Sequence, residues 1–321
     1  MNIVITGGAG FLGQRLAKAL LHGSCPLAFD TLILADITPP PAPLPDARLQ
    51  CLALDLSQPG AAERLIDADC GVLFHLAAIV SSHAESDFDL GMQVNFDATR
   101  QLLEAARHRA PGMKFIFTCS LAVFGGELPP VIDDRCAVTP QSSYGAQKAM
   151  CELLINDYAR KGFVDGRVLR LPTISVRPGK PNKAASSFAS GIIREPLHGE
   201  QAVCPVDAEL ALWLSSPAAV VSNFIHAATL PASAFGALRT LNLPGISVRV
   251  REMLEALSAV AGDAVAARGR FEPDAAINRI VAGWPGKFDT RRAQQLGFTA
   301  DESFAQAIRA FIRDDMPQGG G

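Results

Sequence analysis

The stretch NIVITGGAGFLG, residues 2–13, decides the fold of this 321-residue chain. Residues 2–6 form a short apolar run, glycines follow at 7, 8, 10 and 13, and apolar residues at helical spacing run from Phe11 to Leu21. The pattern predicts a strand, a tight turn and a helix. Such a turn lets the backbone approach a pyrophosphate, and the helix N-terminus offers N–H donors to the anion.

The second apolar run supports a dinucleotide at this turn. It spans Thr31 to Asp36 and ends on an acid 23 residues after Gly13, close to the roughly 20 residues expected for an acid that binds the adenosine ribose. An acid repels a 2′-phosphate, and no arginine follows at Ile37 or Thr38. The sequence therefore predicts NAD as the cofactor, and the predicted contacts in this part are Gly7, Gly10, Phe11, Leu12, Gly13 and Asp36.

Working outward, strands and helices alternate through the first 170 residues. Strands are predicted at 49–54, 71–75, 114–119 and 167–171, and helices at 85–109 and 142–161. This alternation predicts an α/β fold: a Rossmann-type doubly wound parallel sheet covered by helices on both faces.

The pattern changes after Pro172, where Pro178-Gly179-Lys180-Pro181 interrupts the chain. Later helices are predicted at 217–229, 249–262 and 301–313. We expect an NAD-binding domain over 1–175, with possible return segments within 200–245, and a smaller, mostly helical substrate-binding lobe over 176–321.

Composition narrows the classes of partner. The chain has 29 Lys+Arg against 32 Asp+Glu, a net charge of −3, which disfavours nucleic acid and membrane surfaces. No apolar stretch is long enough to span a bilayer.

The seven cysteines are an odd number without a C-x-x-C pair, and no basic leader follows Met1. We expect no metal site and a location in the reducing cytoplasm.

A second group of residues carries acid–base chemistry. Tyr144 and Lys148 lie four residues apart on a predicted helix and therefore share one face, and Ser120 ends the preceding strand. A fixed ammonium favours phenolate over phenol, so Tyr144 can act as a general base near neutral pH. Ser120 is expected to hydrogen-bond the same substrate oxygen. The predicted catalytic residues are Ser120, Tyr144 and Lys148.

In this order the motifs resemble an extended short-chain dehydrogenase/reductase of the NAD-dependent epimerase/dehydratase family. The resemblance covers the first 180 residues and includes Asp55-Leu56, His75-Leu76-Ala77-Ala78, Val94-Asn95 and the strand end Thr118 to Gly125. It implies that Asn95 braces the active-site strand and that Lys148 holds the nicotinamide ribose. It implies a homodimer, formed by the helices at 85–109 and 142–161. The further NAD contacts that it implies are Asp55, Leu56, Leu76, Ala77, Ala78, Asn95, Tyr144, Lys148 and Pro172.

The family includes dehydrogenases, epimerases and dehydratases, so the fold does not decide the reaction. Dehydratases of the family carry an acidic pair after the active-site Ser/Thr, whereas this chain has Leu121 and Ala122 there. These side chains can neither donate nor accept a proton, which disfavours dehydration. Epimerisation of a nucleotide sugar with tightly bound NAD stays open. A non-catalytic NAD-responsive regulator is disfavoured because Tyr144 and Lys148 are both present.

The segment after the last strand points to the substrate. Residues 166–194 contain six cations and no Asp or Glu, which predicts an anionic substrate. Thr173 replaces the Asn of nucleotide-sugar enzymes, and the segment resembles the subgroup that oxidises a four-carbon sugar acid at the 2-hydroxyl. Ser81 either binds a substrate hydroxyl or caps a loop. The predicted substrate contacts are Ser81, Ser120, Tyr144, Arg177, Asn182 and Lys183.

Overall fold

The computed structural model describes residues 1–180 and 185–316. In this part of the chain, seven strands form one parallel sheet in the order β10-β6-β5-β4-β1-β2-β3. The strands are β1 Asn2–Thr6, β2 Thr31–Asp36, β3 Leu49–Ala53, β4 Cys70–His75, β5 Lys114–Ser120, β6 Asp165–Leu171, β7 Thr173–Ile174, β8 Ala202–Cys204, β9 Ala211–Ser215, β10 Thr240–Asn242, β11 Ile246–Arg249 and β12 Gly269–Phe271.

Helices cover both faces of this sheet and build most of the rest. No helix in the described ranges is both long and apolar enough to cross a bilayer. The helices are α1 Phe11–Leu21, α2 Ala61–Leu65, α3 Ser81–Ser86, α4 Phe88–Gly91, α5 Ala98–Arg109, α6 Ser143–Arg160, α7 Phe188–Leu197, α8 Pro217–Thr229, α9 Ala232–Phe235, α10 Val250–Ala261, α11 Asp263–Ala266, α12 Ala275–Ala282, α13 Arg291–Gln295 and α14 Phe304–Asp315.

Two apolar layers sandwich the parallel sheet. On one face α5 and α6 bury Leu102, Leu103 and Ile155 against the sheet. On the other face α1 and α8 bury side chains such as Leu16 and Phe224. Strands covered on both faces need apolar residues at successive positions, as in NIVIT, and this explains why their sequences do not alternate. The predicted α/β fold is confirmed.

A third apolar layer forms the C-terminal lobe, where α7, α10 and α14 pack together. Two small sheets accompany these helices: β7, β9 and β11 form one, and β8 pairs with β12. Strand β10, from within 200–245, pairs in parallel with β6 and so extends the large sheet. The division into domains at residue 175 stays a prediction.

The predicted continuous helix over 85–109 is wrong in detail. Helix α3 begins at Ser81 and ends at Ser86, and the chain then passes through α4 and a π-helical segment, Met92–Asp97, before α5. The break lies at Asp87, whose backbone is not helical (φ −134°) and whose carboxylate accepts from Leu90 N at 3.0 Å. An aspartate that caps a new helix competes with continuation of the old one.

A buried ion pair joins α6 to the sheet. Arg170 on β6 donates to both carboxylate oxygens of Glu152, with Nε and Oε2 2.9 Å apart, and both side chains are almost fully buried. Removing one partner of such a pair leaves an uncompensated buried charge, which costs more than the pair itself contributes.

We predict that Glu152→Gln lowers the free energy of unfolding by about 3 kcal/mol, because the buried Arg170 loses its counter-charge. The matched control is Asp157→Asn, which removes an exposed partner of Arg160 on the same helix and should change stability by less than about 0.5 kcal/mol. Urea unfolding of both variants measures the difference. Equal stabilities of the two variants would contradict the prediction.

Candidate active site

The glycine turn has the close contacts that its sequence predicts. Gly7 has a positive φ of +73°, and a Cβ there would lie 2.8 Å from Ala77 N. A Cβ at Gly13 would lie 2.2 Å from the Gly7 carbonyl oxygen, so only glycine lets α1 begin this close to β1. Gly10 is exposed at the N-cap of α1. The turn therefore leaves an open cradle in front of the helix N-terminus.

Two carboxylates follow neighbouring strands beside this cradle. Asp36 ends β2 and accepts from Ala9 N at 3.0 Å, which fixes it next to the turn. Asp55 follows β3 and accepts from Ser57 Oγ at 2.7 Å and Ser57 N at 2.9 Å. These hydrogen bonds hold the pKa of Asp55 below its usual range. Asp36 and Asp55, two predicted NAD contacts, therefore lie at the ends of neighbouring strands at one edge of the sheet.

The segment after β4 is fixed by a buried polar chain. His75 Nδ1 lies 2.7 Å from Thr6 Oγ1, and Nε2 lies 2.9 Å from Thr99 Oγ1. Burial lowers the pKa of His75 to about 3, so the ring stays neutral and structural. Ala77 N donates to Thr6 Oγ1 at 3.3 Å. These buried hydrogen bonds hold the predicted NAD contacts Leu76, Ala77 and Ala78 beside the glycine turn.

Asn95 hydrogen-bonds the segment after β4 and α6, and its expected bracing of the active-site strand stays a prediction. Its side chain bonds both backbone groups of Ile79, with distances of 2.8 and 3.1 Å, and donates to Gln147 Oε1 at 2.8 Å. It therefore ties the segment after β4 to α6. The π-helical segment that carries Asn95 packs against α6.

The three predicted catalytic residues come together where α6 meets the end of β5. Ser120 is the last residue of β5, and Tyr144 and Lys148 lie one turn apart on α6. A Cβ at Gly145 would lie 2.1 Å from the Ala122 carbonyl oxygen, so glycine permits this approach. Lys148 Nζ lies 5.8 Å from the centre of the Tyr144 ring.

The Lys148 ammonium is buried and donates to the Thr118 carbonyl oxygen at 2.9 Å. Among the described residues that oxygen is its one hydrogen-bond acceptor, although an ammonium has three donors. Burial lowers the pKa of Lys148. Burial also raises the pKa of Tyr144, while Ser120 and Arg177 act in the opposite direction. Tyr144 thus depends on nearby donors and cations to become a base.

A cavity of about 160 Å³ opens in front of these residues. Phe11 and Pro172, two predicted NAD contacts, line it together with the predicted substrate contact Ser81 and the predicted catalytic residues Ser120 and Tyr144. The described residues that line it are Phe11, Val80, Ser81, Cys119, Ser120, Leu121, Ala122, Tyr144, Leu171, Pro172, Thr173, Ile174, Arg177, Ser186 and Trp284.

Among the described residues, Arg177 is the cation that lines this cavity. Its backbone N donates to Ser190 Oγ at 3.0 Å, and its carbonyl oxygen accepts from Arg194 at 2.9 Å. Within the described residues its guanidinium has no carboxylate partner and has one long contact, 3.4 Å, to Ser186 Oγ. Burial and then the charge of Arg194 lower its pKa.

The other described cations of residues 166–194 are either paired with an acid of the chain or exposed. Arg167 pairs with Asp165, Arg170 with Glu152 and Arg194 with Glu195. Lys180 is exposed. Asn182 and Lys183 lie outside the described residues.

Several lining residues escaped the sequence analysis, among them two from the C-terminal half of the chain. Ser186 and Trp284 have no motif of their own, and Trp284 is 140 residues from Tyr144 in the chain. The chain has only two tryptophans, and this rarity was the one feature of the sequence that could have marked Trp284 as a site residue.

These features fit NAD. The open cradle at Gly10 suits a pyrophosphate, Asp36 suits a ribose diol, and the unused donors of the buried Lys148 suit a second ribose at the nicotinamide end.

Comparisons with known proteins agree with this geometry. A D-erythronate dehydrogenase from Haemophilus influenzae is 58% identical over 316 residues, which cover 98% of this chain and 100% of that protein. One from Cupriavidus necator is 53% identical over 320 residues, 98% of each chain. The solved nucleoside-diphosphate-sugar epimerase of Agrobacterium tumefaciens superposes with a TM-score of 0.93 at 45% identity, covering 98% of this chain and 94% of that one. The NAD dependent epimerase/dehydratase family model matches residues 3–215, and this chain belongs to that family.

Proposed function

We propose that this chain is an NAD-dependent dehydrogenase that oxidises the 2-hydroxyl of D-erythronate to give 2-dehydro-D-erythronate. The observation that carries the proposal is Arg177, a half-buried guanidinium without a carboxylate partner among the described residues, in the same small cavity as Tyr144 and Ser120. A substrate carboxylate supplies the missing counter-charge. The named relatives, identical at more than half of their positions, support the same substrate.

The proposed mechanism assigns one role to each residue. Bound NAD supplies the acceptor for the hydride that leaves C2 of the acid. Tyr144 takes the proton of the C2 hydroxyl, and Ser120 donates a hydrogen bond to the same oxygen as it becomes a carbonyl oxygen. Lys148 stabilises the Tyr144 phenolate through its fixed positive charge.

The remaining substrate contacts orient the acid. Arg177 holds the carboxylate and so places C2 beside Tyr144. Ser81, which lines the cavity, binds a hydroxyl. Asn182 and Lys183 remain proposed contacts from the sequence.

The proposed NAD site extends from the glycine turn to the cavity. Asp36 binds the adenosine ribose, and its charge disfavours the 2′-phosphate of NADP. Lys148 binds the nicotinamide ribose. The proposed contacts are Gly7, Gly10, Phe11, Leu12, Gly13, Asp36, Asp55, Leu56, Leu76, Ala77, Ala78, Asn95, Tyr144, Lys148 and Pro172.

A nucleotide-sugar 4-epimerase is the second candidate, because the similar Agrobacterium structure carries an epimerase title. Three features favour the acid. The cavity is smaller than the roughly 300–1,000 Å³ common for larger ligands. Arg167, Arg170 and Arg194 are neutralised by acids of the chain and do not offer free charge to a diphosphate. Thr173 stands where nucleotide-sugar enzymes have asparagine.

We also propose a homodimer in the cytoplasm. Leu153 on α6 is 64% exposed, which supports a partner on the outer face of that helix, whereas Leu102 and Leu103 face the sheet. Light scattering of the pure protein tests this assembly. All seven cysteines lie in the described residues and are free, as in a reducing compartment.

NADH formation across four- to six-carbon aldonates tests the function. We predict turnover of D-erythronate with NAD, little with NADP, and no interconversion of UDP-sugars. Two results together would contradict the dehydrogenase and favour the epimerase: interconversion of UDP-sugars without net NADH formation, and no NADH formation from any of the acids.

We predict that Tyr144→Phe lowers kcat by at least about 100-fold, because the variant loses the group that accepts the hydroxyl proton. NADH binding, followed by cofactor fluorescence, should change little. In the unmodified enzyme the rate of oxidation should rise with pH, because burial raises the pKa of Tyr144 and the phenol must ionise to act. Unchanged turnover in the variant would eliminate Tyr144 as the base.

We predict that Arg177→Met raises the KM for the acid by about 10- to 100-fold, the loss of a charge-assisted contact worth roughly 1.5–3 kcal/mol. The KM for NAD should stay near its original value. The control is Lys180→Met, which removes an exposed cation three residues away and should leave both KM values similar. Similar KM values in the two variants would show that Arg177 contributes only to the general positive charge.

A further inference from the structure

Trp284 reaches the substrate cavity from the far end of the chain. Every other described residue that lines the cavity lies between Phe11 and Ser186. The indole is partly buried, and no described residue accepts a hydrogen bond from its N–H. A tryptophan N–H usually has an acceptor when it is buried, so this donor is available to a substrate hydroxyl.

The segment that carries Trp284 is pinned on both sides. Trp284 N donates to the Val281 carbonyl oxygen at 3.0 Å, and Val281 is fully buried in the lobe. A Cβ at Gly286 would lie 2.6 Å from the Ala211 carbonyl oxygen, so the chain passes directly against β9. Such a segment cannot move outward without breaking packed contacts.

The same segment is also fixed to residues that pack in the core of the large parallel sheet. Ile132 N donates to the Lys287 carbonyl oxygen at 3.1 Å, and Asp289 N donates to the Ile132 carbonyl oxygen at 2.8 Å. The Phe288 ring packs on Phe124 at 5.9 Å between centres. Trp284 is therefore a rigid wall held by both parts of the molecule.

The space that this wall leaves is small. The cavity of about 160 Å³ includes the side lined by Phe11 and Pro172, which the proposed nicotinamide occupies. If Arg177 holds the carboxylate and Tyr144 contacts the 2-hydroxyl, the remaining carbons of the acid must fit into what is left. The added CHOH groups of a longer aldonate must then be accommodated against the wall that Trp284 contributes.

From these contacts we infer that Trp284 sets the length of the acid: its indole limits the chain beyond C2, and its N–H donates to a hydroxyl of the acid. This inference rests on the proposed function and identifies its specificity-determining residue. A wall of this kind discriminates by excluding longer substrates; for comparison, one extra methylene in an apolar pocket changes kcat/KM by roughly 10- to 200-fold.

The test compares kcat/KM for D-erythronate and for six-carbon aldonates in the unmodified enzyme and in Trp284→Ala. We expect the ratio of four-carbon to six-carbon kcat/KM to fall at least about tenfold in the variant, with the KM for NAD little changed. Trp284→Phe, which keeps an aromatic wall, should retain most of the selectivity. The control is Phe271→Ala, which removes an exposed aromatic of the same lobe outside the cavity and should leave the ratio unaltered.

A second measurement covers the case in which Trp284→Ala does not fold. Trp213 is buried and donates to the Leu243 carbonyl oxygen, so Trp213→Phe leaves Trp284 as the single tryptophan. Saturating D-erythronate should change the tryptophan emission of this variant.

The outcomes separate the two proposals. Turnover with an unaltered length ratio in Trp284→Ala, or unchanged emission at a saturating acid concentration in Trp213→Phe, overturns the inference and leaves the dehydrogenase in place. Absence of turnover with every aldonate in the unmodified enzyme overturns the proposed function and this inference with it.

Discussion

The geometry of the candidate active site depends on how closely α6 can approach the end of β5. Gly145 lies against the Ala122 carbonyl oxygen, where a side chain of any size would push the helix away. One turn later the Lys148 ammonium reaches the Thr118 carbonyl oxygen, and two turns later Glu152 pairs with Arg170. These contacts fix the height and rotation of the helix. Tyr144 is positioned beside Ser120 as a consequence.

Over most of the molecule, the buried arginine side chains are paired with a carboxylate. Arg167, Arg170 and Arg239 each meet a carboxylate of the chain, as the cost of isolated buried charge requires. Arg177 and Lys148 depart from this pattern at the candidate site, since neither has a carboxylate partner among the described residues. The departure is informative because satisfying Arg177 within the chain would have stabilised the fold at the expense of the site.

Local patterns predicted the parts of the site that depend on backbone geometry. The glycines at 7 and 13, the acid at the end of β2 and the spacing of Tyr144 and Lys148 each encode a close approach or a helical face, so they can be found without knowing the fold. Asp87 broke a predicted helix because capping competes with helical periodicity. Asn95 bonds Ile79 and Gln147 because tertiary packing, which no spacing reports, decides its partners.

The residues that line the cavity were the hardest part of the site to predict from the sequence. Ser186 and Trp284 reach it through the packing of the C-terminal lobe, and neither sits in a pattern that implies contact with Tyr144. This separation has a physical basis. Proton transfer requires groups fixed to about a hydrogen-bond length, which the sheet and α6 supply, whereas selection of a substrate needs only walls of suitable size. Segments anchored to the lobe can therefore change the substrate without disturbing Ser120, Tyr144 and Lys148, and this arrangement allows members of one family to act on different molecules with the same reactive residues.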